Sequence, residues 1–121
     1  NKFIKLKNFH DNPFKFLKQC DLFILTSKFE GLPNVLLESI ALKKFVISSD
    51  CPTGPKEILL NGKGGLLFKV GDYKDLAKKI NFYFKNKKKC NDLLKKSFES
   101  LNRYSAAKNL DNYYKLVKDF I

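Results

Sequence analysis

Short apolar runs alternate with helical segments along the first two thirds of the chain, and this alternation constrains the fold more than any other feature. The apolar runs cover residues 3–6, 21–26, 45–48 and 65–68. Helical spacing or helix-start signals occupy residues 14–20, 34–43, 56–60 and the chain from Asp72 onward. Strands that alternate with helices form βαβ units, in which the strands are parallel. The sequence therefore predicts an α/β protein with a doubly wound parallel sheet.

The chain has the size and composition of one folded domain. At 121 residues, a chain buries roughly two thirds of its unfolded surface on folding. Hydrophobic residues make up 44% and charged residues 30%, a balance typical of folded rather than disordered proteins. Residues 86–121 keep apolar side chains at three-to-four spacing, which predicts C-terminal helices. No run approaches the ~18 apolar residues of a transmembrane helix, so we expect a soluble or peripheral protein.

Lysine dominates the charge of this chain. Lysine and arginine total 24 against 12 acids, a net charge of +12, and Arg103 is the only arginine. Arginine binds phosphate bidentately in a fixed geometry, whereas lysine acts as a point charge. The excess of lysine has two interpretations. It is either a compositional bias that spreads solvated charge over helix faces, or a means of attraction to an anionic membrane or phosphorylated substrates.

Cysteine usage indicates a reducing compartment. Cys20, Cys51 and Cys90 form an odd set without a Cys-x-x-Cys pair, which favours reduced thiols over a disulfide framework or a zinc site. We therefore expect a cytoplasmic protein.

The segment SKFEGLPNVLLES, residues 27–39, places two acids eight residues apart around a Gly-Leu-Pro turn. This turn follows the strand that ends at Thr26, and parallel sheets bind ligands outside the carboxyl ends of their strands. The unpaired N–H groups of a helix starting near Asn34 would suit a phosphate, which an acid would repel. Glu30 and Glu38 therefore make sense as acceptors for hydroxyls that flank phosphates, as in a nucleotide sugar. The alternative is that Glu38 is an ordinary capping or solvated helical glutamate.

The same segment resembles the Glu-x7-Glu motif of family 4 glycosyltransferases, retaining enzymes of the two-domain GT-B fold. Flanking segments at residues 46–50, 54–58 and 65–68 agree with this family, and the resemblance covers about residues 3–80. It implies that residues 1–121 form part of a C-terminal, Rossmann-like nucleotide-sugar-binding domain. Residues 86–121 would be the C-terminal helices of that domain.

The resemblance also implies a role for each residue of the motif. Glu30 would bind hydroxyls of the donor sugar, Glu38 would bind the ribose diol, and backbone amides near the helix start would hold sugar and pyrophosphate. The expected donor site consists of Glu30, Gly31, Leu32, Pro33, Asn34, Val35 and Glu38. No protein nucleophile is implied, so we assign no catalytic residue. The family usually needs no metal, and the sequence has no Asp-x-Asp pair to hold a divalent ion.

The function implied is retaining transfer of a sugar from a nucleotide sugar, with a UDP-sugar as the expected donor. The acceptor would be a glycan or a lipid-linked molecule in cell-surface polysaccharide or glycoconjugate synthesis. The chain starts in the middle of a pattern and lacks both the family's Arg/Lys pair for the diphosphate and its acceptor-binding domain. We therefore expect a fragment that is inactive alone, needs the N-terminal domain of the same protein, and contacts the inner face of the membrane through its basic surface.

Two other hypotheses stay open. The first is a non-catalytic basic module that binds nucleic acid through residues 85–96, where 86–89 is the densest run. No aromatic stacking motif or helix-turn-helix spacing accompanies that run, so nucleic acid is the less favoured partner. The second is an inactive, truncated gene product that retains the motif.

Overall fold

A computed structural model describes residues 2–108 and residue 115, and in it three strands form one parallel sheet in the order β1-β2-β3. The elements in chain order are α1 (Phe14–Gln19), β1 (Leu22–Leu25), α2 (Asn34–Ala41), β2 (Phe45–Ser49), α3 (Pro55–Ile58), β3 (Leu66–Phe68), α4 (Tyr73–Lys85) and α5 (Lys87–Ser100). Two 3-10 helices cover Leu60–Gly62 and Leu101–Tyr104. The predicted alternation of parallel strands and helices is confirmed.

The central strand β2 separates two apolar clusters, because successive side chains of a strand point to opposite faces of the sheet. All five residues of β2 are buried, as expected for a parallel strand covered on both faces. One cluster contains Leu36, Ile40, Val46, Ile58 and Leu59, from α2, β2 and the α3 region. The other contains Phe45, Ile47, Phe68, Tyr83 and Cys90, from β2, β3, α4 and α5.

Helix α4 runs from the carboxyl edge of the sheet to its amino edge. It starts after β3 at Asp72, whose side-chain Oδ1 accepts a hydrogen bond of 2.9 Å from the Asp75 N–H, which confirms the predicted cap. Near its end, the Tyr83 hydroxyl donates to the carbonyl of Asp21 at 3.1 Å, and its ring stacks on Phe45 with centroids 5.2 Å apart. Asp21 and Phe45 stand at the starts of β1 and β2, so the junction of α4 and α5 lies at the amino edge.

The strand predicted over residues 3–6 is wrong. Residues 4–10 have no regular secondary structure, and Leu6 and Phe9 are 94% and 91% exposed. A strand needs a neighbour that pairs with its N–H and C=O groups, and within the described part of the chain the sheet ends at β1. An alternating pattern is therefore not sufficient to make a strand at this position.

The C-terminal helices predicted over residues 86–121 are observed only where the structure describes them. Helix α5 and the 3-10 helix that follows it account for residues 87–104. Residues 109–114 and 116–121 lie outside the described residues, so the prediction there stays a prediction. No helix in the described part of the chain has the length and apolar character needed to cross a membrane.

Candidate functional site

The loops that leave the three strands meet at the carboxyl edge of the sheet, because parallel strands end at the same edge. The register pairs Leu25 of β1 with Ser48 of β2. Just beyond these positions, the buried Ser49 hydroxyl donates to the Ser27 carbonyl at 2.6 Å. On the other side of β2, the Asp50 N–H donates to the Phe68 carbonyl at 2.8 Å. Hydrogen bonds thus tie the end of β2 to the turn that follows β1, and the residue after β2 to the end of β3.

Both the side chain and the backbone of Glu30 are held in the turn after β1. The Ser27 hydroxyl donates to Glu30 Oε1 at 2.6 Å, and the Thr53 hydroxyl donates to the Glu30 carbonyl at 2.5 Å. The Glu30 side chain is half-buried, and its second carboxylate oxygen has no hydrogen-bond partner among the described residues. One oxygen of Glu30 is therefore held by the protein while the other can accept a hydrogen bond from a ligand.

Gly54 packs directly against the same turn. Its backbone has φ +84° and ψ −74°, and a Cβ added there would lie 2.4 Å from the Gly31 carbonyl oxygen and 2.5 Å from Pro33 Cδ. Only a glycine permits this approach. Gly31 itself has open space, with nothing within 4 Å of an added Cβ. The fold therefore needs glycine at position 54, whereas the surroundings of Gly31 leave room for a ligand.

Helix α2 starts at Asn34, directly after the buried Pro33, and points its first N–H groups into the turn. The N–H groups of Asn34 and Val35 have no acceptor within the helix, and together they form a partial positive charge. The Leu36 N–H bonds back to the Pro33 carbonyl at 2.9 Å. Leu36 and Ile40 anchor the inner face of α2 in the core. The start of α2 is thus a rigid site that could bind an anion.

Glu38 lies one turn beyond Asn34 on α2, so the two side chains share a helix face. Asn34 is exposed and Glu38 is half-buried. Among the residues that the structure describes, the Glu38 carboxylate takes part in no hydrogen bond or ion pair. It is therefore available to a ligand held at the start of the helix.

The seven residues of the predicted donor site lie together at the carboxyl edge. Residues 30–35 form the turn and the first residues of α2, and Glu38 is one helical turn away. Sequence reasoning missed Ser27, Ser49 and Thr53, whose hydroxyls hold this turn. A signal for two of them was present in the sequence, namely one serine just beyond β1 and another at the end of β2. The ends of neighbouring strands lie side by side in a parallel sheet, so these two serines could have been expected to meet.

A cavity of about 340 Å³ opens at the same edge, between the ends of β2 and β3. Its lining residues are Asp50, Leu67, Phe68, Lys69 and Val70. This volume is at the lower limit of small-molecule pockets. Asp50 also forms an ion pair of 3.6 Å with Lys56, and such exposed pairs contribute little to stability. Within residues 2–108, no three or more His, Cys, Asp or Glu side chains are grouped to hold a metal ion.

The densest basic run, residues 86–89, lies away from this edge. It begins at the junction of α4 and α5, at the amino edge of the sheet. The Lys87 ammonium lies 3.8 Å from the ring centroid of Tyr83 and 4.8 Å from that of Phe84, and Lys89 lies over Phe82 at 5.7 Å. These lysines cover aromatic faces on which a nucleic-acid base would have to stack.

The parallel sheet and the acid-flanked turn at its carboxyl edge can be compared with known proteins. Residues 2–100 match the family described as glycosyl transferases group 1, and the chain belongs to this family. The predicted glycosyltransferase resemblance is confirmed.

Individual relatives agree with this family. This chain is 33% identical over 102 residues to the N,N'-diacetylbacillosaminyl-diphospho-undecaprenol alpha-1,3-N-acetylgalactosaminyltransferase of Campylobacter jejuni. The matched residues are 84% of this chain and 27% of the relative. An uncharacterized glycosyltransferase of Methanocaldococcus jannaschii is 50% identical over 56 residues, 46% of this chain and 14% of the relative.

The crystal structure of TarM matches with a TM-score of 0.77 at 26% sequence identity, covering 91% of this chain and 22% of that protein. This match confirms the predicted GT-B type of α/β fold. The chain spans about a quarter or less of the length of each of these three proteins.

Proposed function

We propose that this chain forms part of the nucleotide-sugar site of a retaining family 4 glycosyltransferase, which acts together with the N-terminal domain of the same protein. The donor is a UDP-sugar and the acceptor is a glycan or a lipid-linked molecule. The observation that carries the proposal is the arrangement at the carboxyl edge, where a half-buried Glu30 precedes the open N-terminus of α2 and Glu38 follows one turn later.

The diphosphate, the sugar and the ribose of a nucleotide sugar each have a matching partner in this proposal. The diphosphate is held by the N–H groups of Asn34 and Val35, where the helix charge is positive. The Glu30 oxygen that has no protein partner accepts hydrogen bonds from hydroxyls of the sugar. Glu38 accepts from the ribose diol. The two acids bind neutral hydroxyls on either side of the diphosphate and so avoid its negative charge.

The donor site works without a metal ion in this proposal. Backbone N–H groups at the start of α2 balance part of the charge of the diphosphate, and no side chain of this chain is assigned as a nucleophile. The chain provides binding and orientation, which place the anomeric carbon of the sugar toward an acceptor bound by the other domain.

The acceptor proposal comes from the relatives and from the charge of the chain. The Campylobacter relative is named for a substrate linked to diphospho-undecaprenol, a lipid carrier. A net charge of +12 attracts the chain to an anionic membrane surface, and the attraction decreases with ionic strength. The enzyme would thus act in the cytoplasm, at the inner face of the membrane.

Substitution of Glu38 tests the proposed donor site. In the full-length protein, Glu38→Ala should weaken UDP and UDP-sugar binding alike, because the ribose is common to both ligands. A hydrogen bond to a charged group is worth ~1.5–3 kcal/mol, so we expect affinity to fall roughly 10- to 150-fold in calorimetric titrations. Glu99→Ala, which removes an exposed helical glutamate of α5, is the matched control and should bind like the wild type.

Two results would contradict the proposal. One is that Glu38→Ala and the wild type bind UDP and UDP-sugars with equal affinity. The other is that the wild type binds neither UDP nor any UDP-sugar. Nucleic-acid binding with a steep salt dependence and no response to UDP would favour the basic-module hypothesis instead.

A further inference from the structure

We propose that the Ser27 hydroxyl is a positioning group for Glu30, and that Ser49 and Thr53 hold the backbone of the same turn. Ser27 thereby fixes one carboxylate oxygen of Glu30 so that the other faces the donor sugar, and the other two hydroxyls keep Ser27 and the Glu30 backbone in place. This inference rests on the proposed donor site.

The contact between Ser27 and Glu30 has the geometry of a charge-assisted hydrogen bond. The distance of 2.6 Å from Ser27 Oγ to Glu30 Oε1 falls in the range of short O–H···O⁻ bonds. A glutamate side chain free in solvent samples several rotamers, and ordering it on binding costs entropy. A carboxylate that is already held at one oxygen has lost much of that freedom before the sugar arrives.

Ser27 is itself held by the centre of the sheet. Its carbonyl accepts the Ser49 hydroxyl at 2.6 Å, and Ser49 is fully buried at the end of β2. Ser49 is also paired with Phe68 of β3. The position of Ser27 therefore depends on the register of β1 on β2, not only on the local turn.

Thr53 holds the backbone of Glu30 through its hydroxyl. Its φ of +61° is uncommon for a β-branched residue, and Gly54 follows with φ +84°. This conformation brings the Thr53 hydroxyl to the Glu30 carbonyl at 2.5 Å, while the same hydroxyl also contacts the Pro52 carbonyl at 2.7 Å. Strained backbone of this kind persists only where the surrounding structure enforces it, and it is frequent at ligand sites.

The two possible roles of Ser27 predict different binding data. If Ser27 only stabilises the turn, its loss should affect every ligand of the carboxyl edge, UDP included. If Ser27 positions the Glu30 carboxylate, its loss should affect only the sugar part of the donor. Comparing UDP with UDP-sugars therefore separates positioning from stability.

The experiment measures binding of UDP, UDP-galactose and UDP-N-acetylgalactosamine to the full-length protein by calorimetry. Ser27→Ala should weaken binding of the best UDP-sugar roughly 3- to 10-fold and leave UDP unchanged, in line with the loss of one hydrogen bond. Ser27→Thr keeps the hydroxyl and should restore the affinity. In a Glu30→Ala background, Ser27→Ala should have no further effect, because the carboxylate that it orients is absent.

A matched control is Ser100→Ala, which removes a half-buried hydroxyl that bonds the Ser97 carbonyl at 2.9 Å in α5. This variant should bind UDP and UDP-sugars with the affinities of the wild type. The inference is overturned if Ser27→Ala binds UDP-sugars like the wild type, or if UDP and UDP-sugar affinities fall together. A wild type that binds no UDP-sugar overturns the proposed function and this inference with it, whereas sugar binding lost in Glu30→Ala but kept in Ser27→Ala overturns this inference alone.

Discussion

Among the glycines of the described residues, Gly54 is the one at which an added Cβ would make the closest contact, so Gly54→Ala should have a large local effect. Gly54 has φ +84°, and an added Cβ would lie 2.4 Å from the Gly31 carbonyl oxygen and 2.5 Å from Pro33 Cδ. Neither neighbour is the flexible end of a side chain. Relief of the contact must therefore shift the loop after β2 or the turn that contains Glu30.

The cost can be estimated from two contributions. Placing an L residue at the φ of +84° and ψ of −74° of Gly54, close to the strained γ-turn conformation, costs roughly 1–3 kcal/mol. Forcing extra atoms into a packed site typically costs about 1–3 kcal/mol more. The sum is about 2–6 kcal/mol, a large fraction of the ~5–15 kcal/mol that stabilises a domain of ordinary size. With a slope of about 2 kcal/mol per molar urea, the unfolding midpoint should fall by roughly 1–3 M.

Gly62→Ala is the matched control for this prediction. Gly62 has φ +87°, but an added Cβ there would have nothing within 4 Å. It should therefore lose only the conformational contribution of about 1–2 kcal/mol. Urea unfolding of both variants, followed by circular dichroism, gives the comparison. If Gly54→Ala were no less stable than Gly62→Ala, the close packing of Gly54 against the turn would not contribute to stability, contrary to this prediction.

Two further predictions concern stability away from the turn. Asp72→Ala removes the cap of α4 and should lower the free energy of unfolding by about 0.5–2 kcal/mol, whereas Asp72→Asn should retain most of the stability, as urea titrations would show. Burial raises the pKa of the Cys90 thiol, although Lys87 and Lys89 lower it in part. In the unfolded chain the Cys90 thiol loses its proton above pH ~8.5, whereas in the folded protein it keeps its proton to higher pH. The contribution of this thiol to the free energy of unfolding is therefore complete below pH ~8.5 and is lost as the pH rises through the folded pKa. Cys90→Ala should reduce the slope of unfolding free energy against pH in that range, and an unchanged slope would contradict the assignment to Cys90.

The sequence was sufficient to predict much of the fold. The apolar run at residues 45–48 predicts a buried central strand, and β2 is buried along its whole length. Asp72 predicts the start of α4, because a capping side chain acts on the N–H groups of its own first turn. Such features depend on neighbours in the sequence, so a local pattern is sufficient to predict them.

Residues 3–6 show where the same reasoning was wrong. The alternation of apolar and lysine side chains there is a strand pattern, but a strand also needs hydrogen-bonding partners from another part of the chain. In the described residues, the sheet ends at β1 and this segment is exposed. A pattern of side chains reports which faces a strand would have and not whether a partner is present.

Sequence patterns were sufficient to predict the order of strands and helices from α1 onward and the position of the two acids around the turn. These follow from side-chain periodicity, turn residues and the rule that parallel sheets present their loops at one edge. The groups that hold Glu30 become evident only in the folded structure. The Ser49–Ser27 bond spans 22 residues and the Thr53–Glu30 bond spans 23, and both require β1 and β2 to lie in one register. Local patterns carry no information on such contacts, because the register is set by how the whole sheet packs.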